Sequence, residues 1–297
     1  MFVHLKPTDW LNIRFASTNT LTRPNYTDII PLWRINGGGS TIDWRNPLLE
    51  PGLSKNIDFS IAAHQNRLGL ISIGYFEKDI ENLIYASGSR SITDPSEFDL
   101  PENLLKYKML NYTLNNPYNV FLSGYEIDYQ TRFWYLPGVL SGLVFNANYT
   151  HTESDVKYPW TILHHEFDWS IPALITTNID TFYADRLLDQ PDQIINISIG
   201  YDYKGFSGRL SMLHKDNVFM RTKFWPELRE TTDAYRRWDL SMKQKLPISG
   251  LEIFLNASNL TEAVDVNRYR GKNSAGNNLT SEQHYGMTID LGFRYSF

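Results

Sequence analysis

The stretch Ser281–Phe297, SEQHYGMTIDLGFRYSF, alternates between apolar and polar side chains up to its last residue. One parity is entirely apolar or aromatic: Tyr285, Met287, Ile289, Leu291, Phe293, Tyr295 and Phe297. The other parity is small, polar or charged: Gly286, Thr288, Asp290, Gly292, Arg294 and Ser296. Successive side chains of a strand point to opposite faces, so the stretch predicts one apolar face and one wet face. A transmembrane barrel strand, with lipid outside and a wet lumen inside, fits this pattern.

The composition agrees with a strand-rich membrane protein. The 297 residues carry a formal net charge of −5, no cysteine and 14% aromatic residues. No apolar run is long enough for a membrane-spanning helix, whereas barrel strands need apolar residues only at every second position. The aromatic residues are numerous enough to form girdles at two water–lipid interfaces. The absence of cysteine excludes disulfides and thiolate metal sites.

Alternation of the same kind recurs along the whole chain. It predicts about eleven strands, near residues 2–6, 10–18, 55–65, 70–85, 117–133, 140–154, 192–203, 206–216, 233–246, 251–259 and 281–297. Tight turns alternate with long irregular segments, among them 86–116, 155–189, 217–232 and 260–281. Such segments are uncommon in compact soluble domains but are expected on the outer face of an outer-membrane barrel. A propeller would need a blade repeat of about 40–50 residues, which the sequence lacks. The predicted fold is an all-β, antiparallel transmembrane barrel.

Two sets of motifs resemble those of bacterial outer-membrane proteins. Asp290, Gly292, Tyr295 and Phe297 resemble the C-terminal signal that the barrel-assembly machinery captures, since an unpaired terminal strand is a template for strand addition. Other segments, in the right order along essentially the whole chain, resemble the C-terminal half of a TonB-dependent outer-membrane receptor barrel. They are Arg23–Tyr26, Asn46–Pro51, Gly74–Ile80, Gly124–Glu126, Asn148–Thr150 and Asn256–Thr261.

The resemblance implies energised uptake of a scarce ligand such as a siderophore or another metal chelate. Receptors of this family hold a plug domain, which TonB contacts, inside a barrel of about 22 strands. These residues show neither plug nor TonB segment, about half the strands, and no secretory signal at Met1–Pro7. We therefore interpret residues 1–297 as one domain, the C-terminal barrel portion of a receptor: a truncated product, a fragment or a chain with a wrongly assigned start. We expect that it does not transport alone.

The expected location is the bacterial outer membrane. The expected partners are its lipid, the barrel-assembly machinery, a transported small ligand and, only through the missing plug, the TonB complex; no nucleic acid and no cofactor are expected. An alternative remains: a self-sufficient passive porin or barrel adhesin of about 12 strands. A soluble structural β-protein is a third possibility.

Few residues suggest a site. Trp160, Trp169 and Trp225 lie in the predicted outer segments. Three alternative roles are open for them: stacking on a ligand, anchoring an aromatic girdle, or packing within the loops. The run His164–Glu166, with Asp168 nearby, is interpreted as solvated loop, because adjacent side chains of an extended chain point apart. Three arginines either line the lumen or bind lipid headgroups: Arg209, Arg236 and Arg237.

Enzymatic signatures are missing from the sequence. No nucleophile elbow, phosphate-binding glycine loop or zinc-type histidine spacing occurs. The run Gly37–Ser40 lacks the lysine and helix that follow a phosphate loop, and it predicts loop flexibility instead. We therefore expect no catalytic residues.

Overall fold

The computed structural model describes residues 1–36, 41–87, 90–92, 94–102, 109–223, 225–270 and 278–296. Two features of the sequence, the terminal Phe297 and the run Gly37–Ser40, lie outside these ranges. The helices that lie wholly within these ranges are one turn of α-helix, α1 (Tyr26–Ile29), and three 3-10 helices at Pro95–Phe98, Gly138–Gly142 and Pro226–Leu228. No helix in the described ranges is long and apolar enough to cross a membrane.

Strands make up most of the structure, as the alternation predicts. They are β1 (Phe2–Thr8), β2 (Leu11–Thr22), β3 (Trp33–Ile35), β4 (Thr41–Trp44), β5 (Gly52–Gln65), β6 (Gly69–Glu81), β7 (Ile84–Ala86), β8 (Arg90–Ser91), β9 (Met109–Asn111), β10 (Thr113–Asn115), β11 (Val120–Arg132), β12 (Leu143–Asp168), β13 (Ala173–Asp185), β14 (Gln193–Tyr203), β15 (Phe206–Lys215), β16 (Phe219–Arg221), β17 (Glu230–Thr232), β18 (Tyr235–Lys245), β19 (Leu251–Ser258), β20 (Val264–Tyr269), β21 (Leu279–His284) and β22 (Thr288–Tyr295).

One antiparallel sheet dominates the fold. Its 12 strands follow the order β1-β2-β5-β6-β11-β12-β14-β15-β18-β19-β22, with β13 off this path and paired only to β12. Without β13, eleven strands form one continuous row, and short turns alternate with long connections along it. This confirms the predicted antiparallel barrel wall. Within the described ranges β1 and β22 do not pair with each other, so the sheet is the wall of a partial barrel.

The strand register aligns apolar side chains across one face of the sheet. Ile61 lies opposite Ile73, Ile73 opposite Ile127, and Ile127 opposite Tyr149. Many side chains of this face are exposed, and Leu291 in β22 keeps 68% of its surface accessible. A contiguous exposed apolar band of this kind is the surface that a barrel presents to lipid.

The opposite face of the sheet is polar and hydrogen-bonded. Ser211 Oγ donates to Ser198 Oγ at 3.0 Å across β15 and β14. The guanidinium of Arg209 donates to both carboxylate oxygens of Asp202, at 2.8 and 2.7 Å. Charges and hydroxyls at this density would be costly in a dry core, so this face is the predicted wet wall.

The strand register also shows on which face of the sheet each of the three arginines lies, which the sequence alone did not decide. Arg209 lies opposite Gly200, on the polar face. Arg237 shares that face, and its Nε donates to Asp239 at 3.0 Å. Arg236 lies opposite His214, at the end of β18 and on the apolar side of the sheet. Of the three, Arg236 therefore shares the face of the exposed apolar band, and binding to lipid headgroups stays a prediction for it.

Several predicted boundaries were wrong. Residues 155–189 are not irregular: β12 continues for 26 residues and forms a hairpin with β13 beyond the end of its partner β14. The alternation is broken there by the apolar pair Ile162–Leu163 and the polar run His164–Glu166, and Pro159 is unfavourable in a strand, which is why the sequence signal was weak. The other long connections also hold short strands. The terminal stretch divides into β21 and β22 at Gly286, whose φ of +64° breaks the strand.

A glycine at the centre of the sheet supports a stability prediction. A Cβ on Gly124 would lie 2.3 Å from the carbonyl oxygen of His151 and 2.5 Å from the ring of Phe76. The carbonyl oxygen can move away from a Cβ only if the neighbouring strand shifts. We therefore expect Gly124→Ala to lower the free energy of unfolding by about 1–3 kcal/mol. Gly74→Ala is the matched control, since its nearest atom would lie 3.8 Å away. Urea unfolding in lipid vesicles measures both, and equal midpoints would contradict the expectation.

Candidate functional site

The described parts of the long connections fold into a layer at one end of the large sheet. Two four-stranded sheets, β16-β17-β20-β21 and β3-β4-β9-β8, and the pair β10-β7 build it. Asn115 ties three segments together, because its Nδ2 donates to Glu50 O at 2.8 Å and to Asn82 O at 3.1 Å. The layer is therefore a structured mouth and not a set of independent loops.

Strand β12 extends from the large sheet into this layer. The parity of its side chains that is polar in the sheet becomes apolar and buried in the layer. Asn146 and Asn148 belong to the polar face, and Val156 and Tyr158 lie on the same parity farther along the strand. Both later residues are fully buried. The wet wall of the barrel thus leads directly into a buried aromatic cluster at its mouth: Tyr85, Val120, Val156, Tyr158 and Phe219.

Tyr158 lies at the centre of this cluster. Its ring stacks on Tyr183 at 5.4 Å and meets the edges of Tyr85 at 5.3 Å and Phe219 at 5.6 Å. Its hydroxyl donates to Arg186 O at 3.0 Å and accepts from Leu188 N at 2.9 Å. Burial raises the pKa of the Tyr158 phenol, so the ring stays neutral.

A cation extends the aromatic stack. The guanidinium carbon of Arg229 lies 3.2 Å from the ring centroid of Tyr183, on a partly buried side chain. Burial lowers the pKa of Arg229 from its usual value, while the neighbouring Tyr183 and Asp185 favour the charged form. A desolvated cation over an aromatic face is held more strongly than an exposed one, so Arg229 fixes the position of Tyr183.

Two cavities open beside the cluster. The first, the Trp160 cavity, has a volume of about 290 Å³ and is lined by Ser87, Tyr112, Leu114, Pro117, Tyr118, Pro159, Trp160, Thr161, Asp180, Thr181, Tyr183, Thr222 and Lys223. The second, the Arg34 cavity, has a volume of about 330 Å³ and is lined by Asp28, Leu32, Arg34, Asp43, Trp44, Arg45, Ala86, Ser87, Asn111, Tyr112 and Thr113. Ser87 and Tyr112 line both, so the two cavities adjoin.

The three tryptophans that the sequence singled out do not converge. Trp160 lines the cavity that bears its name. Trp169 lies at the turn of the β12–β13 hairpin, 85% exposed, with its ring 4.7 Å from that of Phe167. Trp225 lies before a 3-10 helix on another connection and is 54% exposed. Trp169 and Trp225 line neither cavity, and ligand contact stays a prediction for all three.

The histidine pair lies in a strand and not in the loop that the sequence predicted. His164 and His165 are consecutive residues of β12, so their side chains point to opposite faces. His165 Nδ1 lies 2.9 Å from Thr176 Oγ1 on β13. Over the described ranges, no group of three or more histidine, aspartate or glutamate side chains is arranged to hold a metal ion.

Three residues of the terminal assembly signal lie on the edge strand β22, and the fourth, Phe297, lies outside the described residues. Asp290 lies opposite Asn256, Gly292 opposite Phe254, and Tyr295 opposite Leu251. The Phe254 ring fills the space where a Cβ on Gly292 would lie, at 2.6 Å, which gives this glycine a packing role. Capture by the assembly machinery stays a prediction.

Several residues of the mouth were missed from the sequence. They come from three segments: Tyr112 and Tyr118 from the connection before β11, Tyr183 from β13 and Arg229 from the connection before β17. No local motif joins them. The alternation of apolar and polar residues in β13 could have placed Tyr183 in a strand. It was not used, because residues 155–189 were predicted to be irregular.

Comparisons with solved structures show the same fold. The Pseudomonas aeruginosa ferric enterobactin receptor PfeA, as a mutant in complex with enterobactin, aligns over all of this chain and 40% of its own, with 13% identity and a TM-score of 0.62. The copper transporter OprC aligns over 100% of this chain and 38% of its own, with 10% identity and a TM-score of 0.60. The FrpB iron transporter of Neisseria meningitidis aligns over 100% and 38%, with 12% identity and a TM-score of 0.56.

The chain spans less than half the length of each of these structures. No match to it was found among curated protein sequences. A family model described as TonB dependent receptor-like, beta-barrel matches residues 3–260, which is most of the chain. The chain therefore belongs to the TonB-dependent receptor-like β-barrel family.

Proposed function

We propose that this chain is the C-terminal barrel portion of an outer-membrane receptor for a scarce ligand such as a siderophore or another metal chelate. Uptake is energised through TonB, which contacts a plug outside these 297 residues. The observation that carries the proposal is the continuous path from the polar face of the sheet to the aromatic mouth and its adjoining cavities.

The geometry supports separate roles for wall and mouth. In lipid each unpaired backbone group costs several kcal/mol, and each inner strand of the large sheet is hydrogen-bonded to a neighbour on both sides. At the mouth, aromatic rings with a few polar groups are the lining that small-molecule sites use. The cavities therefore capture the ligand, and the wall holds the membrane seal around its path.

Deleting the coding sequence for this chain in its source organism tests the proposal. Under iron limitation, we expect uptake of one ferric chelate from a panel to fall to background, and to fall equally when the gene for TonB is deleted. A passive porin would instead show steady ion conductance and uptake that does not depend on TonB. Unchanged uptake of every chelate in the deletion strain would contradict the proposal.

Trp160 gives a prediction within this proposal. We expect Trp160→Ala to weaken binding of the transported chelate about tenfold, because a large aromatic contact is removed from a cavity wall. Trp169→Ala is the matched control and should leave binding unchanged, since this residue lies at the hairpin turn and lines neither cavity. Retention of the radioactive ferric chelate by isolated outer membranes measures both. Equal losses in the two variants would contradict a specific role for Trp160.

A further inference from the structure

The two adjoining cavities carry a balanced set of charges. The described lining of both together holds three cations, Lys223, Arg34 and Arg45, and three carboxylates, Asp180, Asp28 and Asp43. Each cavity is balanced by itself as well, with one pair in the Trp160 cavity and two in the Arg34 cavity. The lining that a ligand meets therefore carries no net charge.

Each lining cation is also engaged by a carboxylate. Arg34 lies 3.2 Å from Asp43, and Arg45 lies 3.3 Å from Asp28. Lys223 lies 3.2 Å from Glu230, a carboxylate just outside the lining that Arg221 also approaches, at 3.7 Å. An anionic ligand would have to compete with these carboxylates for each cation, and it would lose part of its own hydration in doing so.

The rest of the lining suits uncharged polar and apolar groups. Phenol and hydroxyl groups come from Tyr112, Tyr118, Ser87 and Thr222, and ring faces come from the same tyrosines and Trp160. The hydroxyls of Ser87 and Thr222 already donate to Tyr112 O and Ala86 O, so their oxygens can accept from amide groups of a ligand without a charge. With volumes of about 290 and 330 Å³, the adjoining cavities fall in the range of small-molecule sites.

From this balance we propose the charge class of the ligand: the mouth selects a chelate with net charge near zero and rejects polyanionic chelates. The inference rests on the proposed function and deepens it. It assigns Asp28 and Asp43 a part in specificity, since each occupies a cation that a polyanion would otherwise use. Specificity here comes from repulsion of the wrong ligand as much as from contacts to the right one.

Binding of two ferric chelates of different charge tests the inference. Outer membranes from the source organism are incubated with a radioactive neutral ferric tris-hydroxamate or a trianionic ferric tris-catecholate, and membranes from the deletion strain give the blank. We expect the neutral chelate to bind at least about tenfold more tightly. Asp43→Asn releases Arg34, so we expect binding of the trianionic chelate to rise about fivefold and binding of the neutral chelate to change little.

Two further variants make the result specific. Asp28→Asn releases Arg45 and should act in the same direction. Asp265→Asn, in β20 and outside both cavities, removes the same charge and should change neither affinity. Tighter or equal binding of the trianionic chelate by the wild-type protein would overturn the inference while leaving the proposed function intact. Binding of neither chelate, with the protein present in the membrane, would count against both.

Discussion

Tyr158→Ala is expected to lower the free energy of unfolding of the mouth by about 3–5 kcal/mol, the cost of removing a large buried ring. Tyr158 is fully buried and contacts Tyr85, Tyr183 and Phe219 at once. The substitution also leaves the backbone N–H of Leu188 without its acceptor. Because the large sheet does not depend on this ring, we expect the mouth to loosen while the barrel wall persists.

Limited proteolysis and backbone hydrogen exchange distinguish the two regions. Cleavage within the long connections should accelerate and the protection of Leu188 should be lost, while the amides of β14 and β15 keep their protection. Tyr158→Phe is the matched control, because it keeps the ring and loses only the two hydroxyl bonds. It should cost about 1–3 kcal/mol. Proteolysis of Tyr158→Ala at the wild-type rate would show that the cluster does not hold the mouth together.

Ile199→Lys is expected to cost about 2–4 kcal/mol of folding free energy in a bilayer, because it places a charge on the lipid side of β14. Ile199 lies on the apolar face and is 54% exposed. Asn196→Lys is the matched control: Asn196 lies on the same strand, also exposed, but on the polar face. That substitution should change stability by less than about 1 kcal/mol.

Folding into lipid vesicles, followed by heat-modifiable migration on gels, measures this difference. We expect a smaller folded fraction for Ile199→Lys and a wild-type fraction for Asn196→Lys. Similar losses in both variants would mean that the two faces of the sheet do not meet different solvents. The membrane placement of the sheet would then be wrong.

The barrel wall was predictable because its rule is local. A period of two decides which side chains face lipid, and Met287, Ile289, Leu291 and Phe293 follow it without interruption. The hairpin of β12 and β13 was missed because apolar and polar side chains do not alternate regularly along it, and because it contains Pro159. Much of the hairpin pairs only with itself. Pairing between its two strands supplies the order that the sequence pattern does not display.

The mouth was hardly predictable, because its contacts join residues far apart in the chain. Thr222 donates to Ala86 O at 3.2 Å, across 136 positions of sequence. Arg229 reaches Tyr183 from another connection, and nothing near either residue indicates the other. Of the residues singled out beforehand as ligand contacts, only Trp160 lies in a cavity wall. The charge balance of the lining likewise appears only after the chain has folded.

The alternation of strand direction across the sheet restricts how a cylinder can be completed. Eleven strands, each antiparallel to the next, leave β1 and β22 running the same way. Two copies related by rotation about the barrel axis would therefore meet in two parallel seams. A cylinder that is antiparallel throughout instead needs an odd number of additional strands between these edges. An odd number of strands therefore limits how the sheet can assemble. Two copies of it, inserted in the same orientation, cannot close into a cylinder in which every pair of neighbouring strands is antiparallel.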